Sequence, residues 1–340
     1  MLILGAVLFA PASAAHADVT YATVAHPTPV SFFRDRLVWS AFDQARNGYV
    51  LMTHHGGVTS AVPVQHRGVP FDSDLGPDGH GDTVAVYSRC GREPSFSPQG
   101  NAPPEWSSGR GCNVFQFNFA TGRETRVASA NTDGSSEFLP SIWETRIAFA
   151  RVYERRSGRA GDRAYLYART LLGTSTSTRL RSGPRAVPVE TGPAALDLRG
   201  RRVAFAWATR GDCPGGITAI WLDTVGGGQQ RVQSACNTNL QGRAVVSPTI
   251  SGGQVYYSRS NTGGEELGSR IRRYRIKTRD RREVFALPRA AALATATDAG
   301  RTFYLASNAF PARCMGGVPG VPDLPGAPPT PPCQLNEFTP

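Results

Sequence analysis

The chain has 340 residues and carries 37 Lys+Arg against 26 Asp+Glu, a formal net charge of +11. That length accommodates two average domains or one repeat-built β fold, and it buries a sizeable core without a metal to hold it together. Almost all of the basic excess is arginine, Lys277 being the single lysine; such a surface attracts polyanions without selecting among them and points to no specific nucleic acid.

From the N-terminus, residues 2–9 (LILGAVLF) form an apolar run, followed by Pro11 and small residues ending in Ala15-His16-Ala17. This is the apolar core and cleavage pattern of a secretory signal peptide, without the usual positive residues ahead of it. The expected signal segment is 1–17, with Asp18 as the mature N-terminus. The run is far too short to span a bilayer, no later segment approaches that length, and no cysteine stands near the cleavage point to carry a lipid. The expectation is a secreted or extracytoplasmic protein of periplasm or cell envelope, without a transmembrane segment. Residues 19–25 (VTYATVA) read as a strand with no partner of its own.

Beyond it, apolar runs rich in Val, Phe and Tyr begin near Leu37, Val84, Ile147, Val203, Val255 and Thr302. The period is roughly fifty residues, in the range that signals solenoids or propellers. Each run follows a short half-apolar strand and a polar turn, as in PTPVSFFRDRLVWSAF (27–42), PSIWETRIAFA (140–150), PAALDLRGRRVAFAW (193–207), PTISGGQVYYS (248–258) and AALATATDAGRTFYLA (291–306). A third, alternating strand comes next: 48–55, 114–122, 164–170, 217–224, 270–278 and 334–339. Alternation of period two marks a half-buried strand. A more polar fourth strand follows at 59–64, 123–129, 229–234 and 281–287; in the third unit it lies at 177–182 or 185–190. Gly and Pro recur too often for long helices.

Six units of four antiparallel strands make an all-β, six-bladed β-propeller. One domain is expected over 18–340, with blades at 27–65, 66–130, 136–188, 189–236, 240–288 and 290–340. The sixth unit has only three strands, so strand 19–25 completes it and closes the ring.

LGPDGHGDTVAVYSRC (75–90) decides between a metal loop and a hairpin. It aligns as first strand, turn and second strand. The other units put RD, ET, RG, GG and DAG at the turn, keeping turn chemistry and discarding any ligand set; a Ca²⁺ loop would need a longer acidic array. The same stretch resembles the repeat of TolB-like and related WD-repeat-like propellers, through Gly76-Pro77-Asp78-Gly79 followed by Val84-Ala85-Val86-Tyr87. In pattern the resemblance covers most of 19–340, although only this unit keeps Pro-Asp-Gly. It implies an extracytoplasmic protein-binding or scaffold role. It transfers no catalytic residue, because the repeat signature is structural.

In a propeller the turns between strands one and two, and between three and four, share one face. The connections between strands two and three, and between blades, share the other. The second set is expected to be long: 40–48, 89–112, 151–163, 208–216, 258–270 and 307–333. Long loops on a rigid scaffold are where binding concentrates. The six cysteines form local couples, Cys90/Cys112, Cys213/Cys236 and Cys314/Cys333, all on that face. Spacing alone does not fix the pairing, but an oxidising compartment favours disulfides, and no CxxC spacing for zinc occurs. Within the loops, Trp106 with Arg92 and Arg110 offers a contact patch of the residue types enriched at hot spots. Arg151, Arg155, Arg156 and Arg159 form the densest basic cluster.

No G-x-S-x-G elbow and no GxxxxGK phosphate loop occurs. The adjacent His54 and His55 point to opposite sheet faces and do not chelate as a pair. Carboxylates at the elaborated face (Asp43, Glu93, Glu105, Glu154, Asp162, Asp212) show no pair that stands out for glycosidase chemistry. The expectation is a monomeric binding or scaffold protein, without metal or cofactor, recognising a protein or an anionic envelope component through Arg92, Trp106, Arg110, Arg151, Arg155 and Arg156. The alternative is a secreted hydrolase or lyase acting on carbohydrate or peptide in the central channel.

Overall fold

The computed structural model describes residues 18–96, 104–153, 164–171, 177–182, 192–209, 213–214, 216–237, 243–261, 268–308 and 332–338. Their strands form six four-stranded antiparallel sheets. Blade one is β2 (Val30–Phe33), β3 (Arg36–Asp43), β4 (Gly48–His55) and β5 (Val58–Ala61). Blade two is β6 (Asp74–Pro77), β7 (Thr83–Arg89), β8 (Asn113–Asn118) and β9 (Arg123–Arg126). Blade three is β10 (Ser135–Trp143), β11 (Arg146–Tyr153), β12 (Ala164–Thr170) and β13 (Thr178–Ser182). Blade four is β14 (Gly192–Arg199), β15 (Arg202–Thr209), β16 (Ile217–Thr224) and β17 (Gln229–Cys236). Blade five is β18 (Arg243–Ser251), β19 (Gln254–Asn261), β20 (Gly268–Arg275) and β21 (Arg281–Pro288).

Blade six is β22 (Ala291–Asp298), β23 (Arg301–Ser307) and β24 (Cys333–Phe338), completed on its outer edge by β1 (Val19–Val24). The pairing of β1 with β24 runs from Val19 opposite Glu337 to Val24 opposite Cys333. Thr20 donates to Asn336 and the Tyr21 hydroxyl to Glu337 Oε2 (2.7 Å), while Arg301 clamps Glu337 from β23. A single apolar cluster joins Val24, Phe32, Leu37 and Trp39 to Phe303, Leu305 and Leu335. The ring is therefore closed by a ladder and by a shared core.

The innermost strands β2, β6, β10, β14, β18 and β22 contact one another in that order around the axis, and β22 contacts β2. They are short or bulged; β2 and β10 are almost wholly buried and β14 largely half-buried, whereas outer strands such as β5 are exposed throughout. Bulges recur at one level of β10, β14, β18 and β22. In β10 and β18 they place Leu139 and Ser247 at φ 50, each directly before a proline.

The 78–82 segment is a tight turn. Asp78 Oδ1 accepts the N–H groups of His80 and Asp82, and Gly81 sits at φ 87, where a side chain is disfavoured. Gly76 is needed for a different reason. A Cβ there would lie 2.0 Å from the Ile142 carbonyl oxygen, so blades two and three approach backbone to backbone. The fourth strand of blade three lies at Thr178–Ser182, the earlier of the two candidate positions. The expected long connection at 40–48 is not one: β3 runs to Asp43 and β4 starts at Gly48, because an Asx-type bond from Ala45 N–H to Asp43 turns the chain at once.

Candidate functional site

A cavity of about 600 Å³ runs along the axis, lined by the inner strands of all six blades. Much of its wall is small or apolar, including Ala194, Ala208, Ala244, Ala292 and Val246. At the end nearest the first hairpin turns, Arg199 reaches from blade four to Asp298 of blade six (2.7 Å). Its guanidinium lies 4.5 Å from the Trp143 ring centroid, with Phe33 beyond. Asp298 also accepts the Arg34 N–H of blade one. Four blades thus meet in one polar-aromatic plug.

One level further in, a recurring polar bond joins successive blades from the first to the sixth. Ser31 Oγ accepts the Leu75 N–H (2.9 Å), Ser141 Oγ accepts the Leu198 N–H (2.7 Å), and Asp197 Oδ2 accepts the Ile250 N–H. Asp74 occupies the matching place in blade two and receives both neighbouring hydroxyls, Ser31 Oγ at 2.7 Å and Ser141 Oγ at 2.5 Å. Thr249 follows in blade five, donating to the Thr295 carbonyl. Serine alone suffices for the joint at 31 and 141. The carboxylates at 74 and 197 exceed what it requires.

Both resist ionisation. Burial raises Asp197 to about 8, aided by the nearby charge of Asp74 and opposed by the Ile250 N–H and Arg199. Burial raises Asp74 to about 6, opposed by Ser141, Ser31, the Leu75 N–H and Arg199. The native state thus holds a proton that the unfolded chain has released, and stability falls as pH rises from about 4 to about 8. An Asp197→Asn variant keeps an acceptor for Ile250 and removes the charge. It should be more stable than the parent at pH 8 and nearly equal at pH 4.5, at about 1.4 kcal/mol for each pH unit over which the proton is held. Urea unfolding at both pH values measures it; a variant weaker than the parent at pH 8 refutes the assignment.

The second feature is the Cys90–Cys112 disulfide, which closes a hairpin in which Arg92 pairs with Arg110 and Ser95 with Glu105. Arg92 is exposed there; the Arg110 guanidinium folds back onto the carbonyls of Ser107 and Gly109. Trp106 is 2% exposed, packed under this hairpin against Val69, Phe138 and Val152. Beneath it Arg67 bridges Asp72 (3.2 Å) and Glu93 (2.6 Å). Arg151 is 5% exposed, bonded to Glu137 and to the Ala130 carbonyl. Trp106 and Arg151 are therefore interior side chains, and an exposed contact surface cannot draw on them as they stand. Arg155, Arg156 and Arg159 lie outside the described residues.

Cys213–Cys236 is a disulfide as well, linking the β15–β16 connection to the end of β17. Cys333 is disulfide-bonded; its expected partner Cys314 lies outside the described residues. The described cysteines, Cys90, Cys112, Cys213, Cys236 and Cys333, fall on one face, the stapled face. Among the carboxylates expected at that face, Glu93 serves Arg67 and Asp43 serves Arg46. Glu105 is half-buried in the disulfide hairpin, and Glu154, Asp162 and Asp212 lie outside the described residues. Sequence reasoning missed Asp74, Asp197 and Arg199. A column drawn through the six first strands at Ser31, Asp74, Ser141, Asp197, Thr249 and Ala296 would have shown the two carboxylates.

No protein-family model matches the chain, and no curated relative matches it. Solved structures similar to it include TolB from Acinetobacter baumannii, at 12% identity and a TM-score of 0.46, covering 89% of this chain and 63% of TolB. Oligogalacturonate lyase from Vibrio parahaemolyticus is similar at 9% identity and a TM-score of 0.49, covering 83% of this chain and 71% of the lyase. The β-propeller domain of the Trilobed protease from Pyrococcus furiosus is similar at 11% identity and 0.46, covering 84% and 78%. The likeness is a TolB-like propeller fold. It carries no activity across. This chain spans less than two thirds of the TolB chain.

Proposed function

We propose that the protein is an exported binding or scaffold propeller that recognises a protein or an anionic envelope component through its stapled face. The observation that carries this is the placement of Cys90–Cys112 and Cys213–Cys236 on that one face. Each closes a loop of about twenty residues, worth roughly 3 kcal/mol in the chain-entropy account. A face ordered in advance loses less freedom on binding. The exposed Arg92 and the net charge of +11 favour an acidic partner. Export rests on the 2–9 apolar run and the Ala15-His16-Ala17 pattern, with β1 starting just beyond the expected cleavage point.

Changing Arg92, Arg110, Arg155 and Arg156 to serine should lower capture of envelope material severalfold with little change in melting temperature, the usual outcome for substitutions outside a buried network. Capture by the parent should fall with added salt, since the screening length is only about 8 Å at physiological ionic strength. Arg123 and Arg282, at the start of the outer strands β9 and β21 beside the hairpin turns of the opposite face, serve as the control set; Arg126, at the far end of β9, donates to Asn113 beside Cys112 and is left out of it. Equal loss from both sets would mean that charge alone drives association and would remove the role of the stapled face.

A hydrolase or lyase is the second reading, favoured by one observation: Asp74 and Asp197 are neighbouring carboxylates whose surroundings push their ionisation apart, as acid–base pairs require. Turnover of an oligosaccharide or peptide that Asp197→Asn abolishes would move the assignment to that class.

A further inference from the structure

We propose that the axial cavity is a binding site for a small organic cation, whose amine or guanidinium group sits at Asp74 and Asp197. Four observations converge on it. The cavity, at about 600 Å³, has the size of a small-molecule site and combines an apolar wall with a few convergent polar groups. The charges around it do not balance: among the described residues, Asp74, Asp197 and Asp298 face the guanidinium of Arg199, which is committed to Asp298. Asp72, which also lines the cavity, is already matched by Arg67. The Asp197 carboxylate, part of the cavity lining, accepts among the described residues only the Ile250 N–H, through Oδ2. Lastly Ser73, a residue of the same lining and only 6% exposed, has a hydroxyl with no hydrogen-bond partner.

The chemistry follows from these positions. A carboxylate in an enclosed, largely apolar space is costly unless a cation or a proton neutralises it. With no ligand a proton does so. An ammonium or guanidinium group takes its place, the proton leaves to solvent, and the Asp197 carboxylate accepts the ligand's N–H bonds. An anionic ligand would meet uncompensated like charge. The two serines at the equivalent positions of blades one and three show that the blade joint itself needs none.

The test is isothermal titration of the whole protein with putrescine and agmatine, and with butanediol as the neutral counterpart of putrescine. Saturable binding of the cations is expected, with none of the diol. Affinity should tighten by about tenfold or more between pH 6 and pH 8, a difference of about 1.4 kcal/mol. Proton release should appear as a dependence of the heat on buffer ionisation enthalpy. Asp197→Asn should weaken the cations at least about tenfold. Should that variant unfold, the pH dependence and proton release of the parent decide alone. Equal binding of diol and diamine, affinity unchanged in a folded Asp197→Asn protein, no saturation by either cation between pH 6 and pH 9, or a stronger response to magnesium or calcium than to the amines would each overturn the proposal. It stands apart from the stapled-face reading: Asp197→Asn leaves envelope capture intact, and Arg92→Ser with Arg110→Ser leaves amine binding intact.

Discussion

An Asp72→Ala variant is expected to lose about 3–5 kcal/mol of stability, the range for breaking a buried ion pair by removing one partner. The Asp72 carboxylate is fully buried and accepts from Ser88 N–H (2.8 Å), Ser88 Oγ (2.6 Å), Leu139 N–H (2.7 Å) and Arg67 Nη1 (3.2 Å). Two of those donors are backbone groups in different blades, and one belongs to Leu139 in its left-handed conformation. Without the carboxylate, the buried Arg67 guanidinium keeps only Glu93 as an acid partner. Asp72→Asn retains acceptor oxygen but not charge, so its loss should be smaller. Urea unfolding with an unchanged m-value measures both. A loss under about 1 kcal/mol in the alanine variant, the scale of a single ordinary hydrogen bond, would show that the network is not what joins blades two and three.

Deleting residues 19–24 should have the other large effect, several kcal/mol, because a whole strand of ladder bonds and cross-strand pairs goes at once. β24 would be left with an unpaired edge, which invites association with other chains. Val24 would leave the cluster that packs blade six on blade one, and Glu337 would keep Arg301 but lose Tyr21. The expected readings are a clear drop in melting temperature and a rise in aggregation. A truncated protein that melts within a degree or two of the parent would rule out a closing role for β1.

The blade order was legible because its signals are local. Alternation over 164–170 and 217–224 marks β12 and β16 at the bounds they adopt, since a strand's two faces are written in neighbouring residues. The closing strand was legible by subtraction, being the one strand without a hairpin partner. Exposure was not. Trp106 stands among prolines, serines and glycines and reads as a surface loop residue, yet blade three buries it from across the fold. Arg151 heads a run of arginines that reads as a solvated face, yet it lies within β11, opposite Glu137 of β10, and the two side chains pair there.

By itself, then, the sequence determined the number of blades and the ring closure, and it marked the cysteines as local couples whose bonds Cys90–Cys112 and Cys213–Cys236 the structure then fixed. These depend on periodicity and on short separations along the chain. Only the tertiary structure decided which carboxylates share a space. Asp74, Asp197 and Asp298 are far apart in sequence, and each looks like an ordinary polar residue in its own strand. They meet because six inner strands are superposed around one axis, and burial there, rather than anything in the adjoining residues, raises Asp74 to about 6 and Asp197 to about 8.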